Sequence, residues 1–242
     1  MQNSDHNINS KGSAQPKRSL FGRRQGRALG DERKYVLEHI LPEISPPPKL
    51  LSEDHSHAPQ SYFKKKFSTY WLEIGFGHGE HVAGLMRQNP DTGYLGAEPF
   101  INGMSSFLKD IEQDPRDNLR AIMADGMILA RSIVPKSLDG IYILNPDPWH
   151  KKRHNKRRII NQENLDVFSK ILKKNGKLVM TTDVPYLAEW MCTQSASHPD
   201  FEWSARSRRD WDIAPEDWIK TKYEIKGAKG AKKMSYLFFE RK

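Results

Sequence analysis

This sequence predicts an α/β fold with a mainly parallel central sheet and helices on both faces, and three observations carry the prediction. From Ser68 onward, short apolar runs alternate with segments of helical period. The first run enters a glycine-rich turn, and the next two end on acids, Glu98 and Asp125. Strands that alternate with helices run parallel, so their carboxyl ends share one sheet edge, which is where open α/β sheets bind ligands.

Each element has its own signal. Residues 1–30 are polar and basic, rich in Ser, Asn, Gln and Gly, and are expected to form a flexible extension holding a basic element at 19–30. In the next stretch, a helix and connecting loop over 31–67, the spacing of Tyr35, Val36, Ile40 and Leu41 makes one face of a helix over 31–44. Pro42 and the prolines at 46–48 are expected to stop it. Residues 68–242 form the main domain. Strands are expected at 68–76, 92–99, 118–125, 137–147 and 176–183, and helices at 79–89, 101–113, 126–133, 161–174 and 185–197. Residues 233–241 alternate partially and close the chain as a last strand.

Composition limits the classes of function. The 242 residues include 39 Lys and Arg against 30 Asp and Glu, a net charge of +9, which fits an anionic partner. Mean hydropathy is −0.76, and no run approaches the roughly 20 apolar residues of a spanning helix. The first residues carry no hydrophobic segment of a secretion signal, so a cytoplasmic location without membrane association is expected. Cys192 is the single cysteine, which excludes an intramolecular disulfide and a thiolate cluster within the chain. His78 and His81 stand three apart, too little for a metal site, and no metal is expected.

The first strand runs into Glu73-Ile-Gly75-Phe-Gly77-His-Gly79 and then a helix. Glycines at such a turn let the backbone approach a cofactor without side-chain obstruction. Glu98 ends the second strand nineteen residues beyond Gly79, where an acid can bond ribose hydroxyls, and Asp125 ends the third beside the expected adenine position. Both a nicotinamide dinucleotide and S-adenosylmethionine fit this arrangement. Glu73 favours the second, because a carboxylate there repels a pyrophosphate and suits a cationic methionine moiety.

The fourth strand leads to Asn145-Pro-Asp147-Pro-Trp149-His150. Two prolines fix the backbone around Asp147 and make its carboxylate a preorganised group. Trp149 offers a face for stacking on a base, with core packing as the alternative. Residues 151–158 then place six formal positive charges in eight positions, as steering and phosphate contacts to nucleic acid require.

At NPDPWHKKRHNKRR the chain resembles the bacterial tRNA (guanine-N7)-methyltransferase family, and the resemblance extends over roughly 19–242 through FGRRQGR at 21–27, Thr181-Thr182-Asp183 and Thr221-Lys222-Tyr223-Glu224. Asn145 stands where an aromatic is more usual before PDPW. The resemblance implies a Rossmann-like class I methyltransferase fold, S-adenosylmethionine as cofactor, and methylation of a variable-loop guanine of tRNA by a monomer or homodimer without an obligate protein partner. It also implies that Glu73, Gly75, Gly77, Glu98, Asp125 and Asp147 surround the methyl donor, with Asp147 the catalytic acid. Lys151, Asp183, Thr221, Lys222, Tyr223 and Glu224 would contact the guanosine. Thr221 can equally be a turn cap. Three other accounts stay open: a methyltransferase acting on another RNA base or an exocyclic amine, a non-catalytic RNA-binding protein of the same fold, and a dehydrogenase.

Overall fold

In the computed structural model, the structure describes residues 22–226 and 233–242. Seven strands make one sheet: β1 (Thr69–Ile74), β2 (Thr92–Ala97), β3 (Leu119–Ile122), β4 (Leu138–Leu144), β5 (Leu172–Thr182), β6 (Phe201–Trp203) and β7 (Ser235–Arg241). Their order is β3-β2-β1-β4-β5-β7-β6, with β1 to β5 parallel and β7 antiparallel to both β5 and β6. The chain builds outward from β1 to β3 and then returns to place β4 on the other side of β1. This reversal opens a crevice at the carboxyl ends of β1 and β4, the position where such sheets take ligands.

Helices cover both faces. α1 (Asp31–Ile44), α2 (Glu80–Gln88) and α3 (Ile101–Gln113) bury Val36, Val82, Met86, Phe107, Leu108 and Ile111 on one face. α4 (Gly126–Ser132), α5 (Gln162–Ile171) and α6 (Pro185–Ala196) bury Leu129, Leu165, Phe168, Leu187 and Met191 on the other. Burial on two faces explains why β1 to β4 read as nearly continuous apolar runs. No helix among the described residues is long and apolar enough to cross a membrane.

The expected strands and helices of 68–199 are present, with ends trimmed by a few residues. The helix expected over 31–44 is α1 itself, with Pro42 inside it, two residues before its end. The prolines at 46–48 follow directly after the helix ends, and its C-cap Ser45 is extended. The junction of α5 and β5 also differs. The helix ends at Ile171, three residues short of expectation, because Leu172 is already extended and pairs with Leu138. β6 and two short helices, α7 (Arg209–Asp212) and α8 (Lys222–Lys226), have no counterpart in the sequence reading. They are too short to show a period.

Most of the expected N-terminal extension, including Phe21 of the basic element, lies outside the described residues. Residues 22–30 are described and run against α3. Ile101 N donates to Arg24 O at 2.9 Å, and the Asn102 carboxamide accepts from Gly26 N at 2.6 Å while donating to Arg27 O at 2.8 Å.

Candidate active site

The register of β1 and β2 sets Ile74 beside Ala97, so the glycine turn and Glu98 leave the sheet as neighbours. Gly75 N donates to Ala97 O at 2.8 Å. The Glu98 carboxylate then accepts from two backbone donors, Gly77 N at 2.6 Å and Phe100 N at 2.7 Å. It therefore holds the loop after β1 and the entry to α3 together. Burial pushes its pKa up, with Asp147 and Glu73 adding like charge, while the two backbone donors pull the other way.

Two glycines have specific reasons. Gly79 has φ +78° and starts α2, and a Cβ there would lie 2.1 Å from the Phe107 ring. Gly77, at φ +60°, has no atom within 4 Å of where a Cβ would stand. That open, left-handed turn beside a carboxylate is a fit for a cofactor that needs close backbone approach.

Glu73 lies in β1, just before the glycine turn. It is 3% exposed, and its Oε2 bonds Nδ1 of His81, itself 2% exposed, at 2.8 Å. His81 lies against Tyr142 and Trp218, with ring centroids 4.7 and 5.0 Å away. This histidine, weighed in the sequence only as a metal ligand, partners the buried acid instead. Asp125 caps α4, accepting from Met127 N at 3.0 Å with Oδ1.

Asp147 stands on the other side of the crevice. Asn145 and Trp149 bracket it in the left-handed region, at φ +47° and +45°. Such backbone in non-glycine residues is costly and clusters at functional sites. Asp147 lines an open cavity of about 320 Å³ with Pro148, Trp149, His150, Lys151 and His154. The residue is exposed as a whole, yet loss of hydration around its carboxyl raises its pKa. Gly22 of the N-terminal segment lies close by, with a Cβ position 3.2 Å from Asp147 Oδ2. Behind the loop, Asn145 Oδ1 and Thr181 Oγ1 are buried without a hydrogen-bond partner among the described residues. Trp149 lies in contact with Arg157, whose guanidinium is 5.1 Å from the ring, and edge-on to His154.

The expected substrate residues fall into two groups. Lys151 is exposed on the rim of the cavity. Asp183, just past β5, meets the C-terminal segment, because the Tyr223 hydroxyl donates to it at 3.1 Å from both carboxylate oxygens. Thr221 and Glu224, by contrast, bond each other: Glu224 N donates to Thr221 Oγ1 at 3.2 Å and Thr221 N to Glu224 Oε2 at 2.8 Å. This is a capping box at the start of α8, the alternative already open for Thr221. Glu224 also accepts from Trp218 Nε1, and Lys222 pairs with Glu80 at 3.4 Å. Trp218, missed in the sequence, thus joins the C-terminal segment to the Glu73–His81 pair.

A family model described as "Putative methyltransferase" matches residues 68–237. A tRNA (guanine-N(7)-)-methyltransferase of Brucella anthropi is 38% identical over 227 residues, covering 93% of this chain and 95% of its own length. The protein of that name from Bartonella henselae is 35% identical over 240 residues, covering 98% and 99%. The chain belongs to the tRNA (guanine-N7)-methyltransferase family. Its fold is that of class I methyltransferases: the crystal structure of the 16S rRNA methyltransferase KamB aligns with a TM-score of 0.50 at 15% identity, covering 73% of this chain and 89% of that one. Within the family frame, the β3-β2-β1-β4-β5-β7-β6 order brings the resemblance-implied donor residues and Asp183 to one sheet edge.

Proposed function

We propose that this chain transfers the methyl group of S-adenosylmethionine to N7 of a guanine in the variable loop of tRNA. The observation that carries the reading is the loop after β4, which sets Asp147 just beyond the carboxyl end of that strand, against an open cavity, and continues directly into exposed Lys151, Lys152 and Arg153. One stretch of backbone thereby joins a donor site to a phosphate-binding surface.

In this reading Gly75 and Gly77 give the donor close backbone approach, Glu98 faces its ribose and Asp125 its adenine. The bound donor supplies an electrophilic sulfonium methyl. Guanine N7 already carries a lone pair, so no base has to remove a proton, and the work of the chain is alignment. Asp147 opposes the positive charge that develops on the purine. Asp183, oriented by Tyr223, accepts from the N1/N2 edge of guanine, while Lys151 holds a phosphate. Capping by Thr221 and Glu224 fixes α8 so that Tyr223 reaches Asp183.

The test incubates unmodified tRNA transcripts with the protein and labelled S-adenosylmethionine, then locates the methyl group by digestion and mass analysis, with Asp147→Ala alongside. Label at N7 of a variable-loop guanine, lost in the variant, is expected. Label on an exocyclic amine or another base would replace this reading with that activity, and donor binding without transfer to any transcript would move it to another RNA substrate or a required partner.

A further inference from the structure

The basic run 151–158 is not uniform. Lys151, Lys152, Arg153 and Lys156 are exposed, whereas Arg158 is 6% exposed. Its Nε donates to Pro148 O at 3.0 Å and its Nη2 to Trp149 O at 3.4 Å. The guanidinium also lies over two rings of α6, 4.7 Å from the Trp190 centroid and 5.5 Å from that of Tyr186. Those rings are themselves fixed, since Trp190 Nε1 donates to Ile160 O at 2.7 Å and the Tyr186 hydroxyl bonds His150 Nδ1.

Arg158 thus ties the two residues that follow Asp147 to the helix that follows Asp183. The loop it grips is the one with left-handed backbone at Asn145 and Trp149, a conformation that persists only where its surroundings hold it. A planar guanidinium can donate in its plane to two carbonyls while its faces cover aromatic rings, which an ammonium cannot do.

We propose that Arg158 is a positioning residue for methyl transfer: it braces the Pro148–Trp149 backbone against α6, sets where Asp147 sits, and does not spend its charge on RNA phosphate. This inference rests on the methyl-transfer reading of the same site.

The experiment compares Arg158→Lys, Arg158→Gln and Arg158→Ala with Arg153→Gln. It measures tRNA affinity across a salt series, kcat and KM for tRNA, and the thermal midpoint. Arg153→Gln is expected to lower the slope of log Kd against log[salt] by about 1, as loss of one phosphate contact does, and the Arg158 variants are expected to keep the wild-type slope and KM. In Arg158→Lys, kcat should fall about ten-fold or more although the charge is retained, as loss of charge-assisted bonds felt in the transition state predicts. Added guanidinium should restore part of the turnover of Arg158→Ala. Wild-type turnover in Arg158→Lys, or a slope lost in Arg158→Gln as in Arg153→Gln, would overturn the proposal. So would a kcat loss that tracks a lowered thermal midpoint and is not rescued by guanidinium. If the wild-type protein methylates no tRNA, the methyl-transfer reading fails on that result and takes the positioning role with it, while an altered salt slope in Arg158→Gln would separately place this charge on RNA.

Discussion

Glu98 and Gly77, twenty-one residues apart, meet through a 2.6 Å hydrogen bond from the glycine N–H to the carboxylate, and Phe100 N occupies the other oxygen. The acid at the end of β2 therefore shapes the turn at the end of β1. Glu98→Ala removes the acceptor of both donors, each charge-assisted bond being worth about 1.5–3 kcal/mol. Donor affinity measured by calorimetry is expected to fall about ten-fold or more. Unchanged affinity would show that the loop holds its shape without Glu98.

The Glu73–His81 pair is buried on both sides. Removing one member of a buried hydrogen-bonded pair leaves the other unsatisfied, at a cost of about 1–3 kcal/mol. For a protein of this size, His81→Ala is expected to lower the thermal midpoint by roughly 2–12 °C. Glu73→Gln keeps a hydrogen-bonding group of the same shape and is expected to lose less. Equal losses in calorimetric unfolding would assign the effect to packing around Trp218 and Tyr142 instead.

Asp147 carries a pKa raised by loss of hydration. At neutral pH the folded state keeps a carboxylate that the unfolded chain ionises more readily, so the charge opposes folding there. Asp147→Asn is expected to raise the thermal midpoint while lowering kcat. The difference in stability should shrink as pH falls toward the unfolded carboxyl value of about 3.9, where both states bind the proton. In the wild-type pH–rate profile, activity is expected to fall on the acid side at a pH above that value. A midpoint that drops in Asp147→Asn would show the carboxylate to be stabilising.

Asn102 accepts from Gly26 N and donates to Arg27 O, clasping the basic N-terminal segment to α3. Asn102→Ala removes both bonds. Limited tryptic cleavage after Arg23, Arg24 and Arg27 is expected to accelerate several-fold, with the midpoint of the domain nearly unchanged because the contacts are peripheral. Cleavage at the wild-type rate would mean that Arg24 O and Ile101 N suffice to hold the segment.

Much of the fold was legible because strands buried on both faces read as apolar runs and their intervening helices as amphipathic periods. The glycine turn, Glu98, Asp125 and Asp147 were legible for a related reason, since turn and strand-end chemistry is local. What escaped was pairwise and distant. Nothing in the spacing of Glu73 and His81 announces a buried bond, and Arg158 is indistinguishable in sequence from the exposed cations before it. Thr221 and Glu224 carry a local signal, the T-x-x-E of a capping box, which could have favoured the cap over the nucleoside contact.

By itself, the sequence determined the order of strands and helices through α6, the residues delivered to the carboxyl edge, and through its motif the family, because all of these depend on neighbours along the chain. Tertiary structure alone decided which charges are spent within the protein. Glu73 is bonded by His81 and Arg158 by the loop it grips, while Lys151 and Arg153 stay exposed. The reason is physical: a charge withdrawn from water must find a partner, and that partner is chosen by the fold, across distances that sequence spacing does not encode.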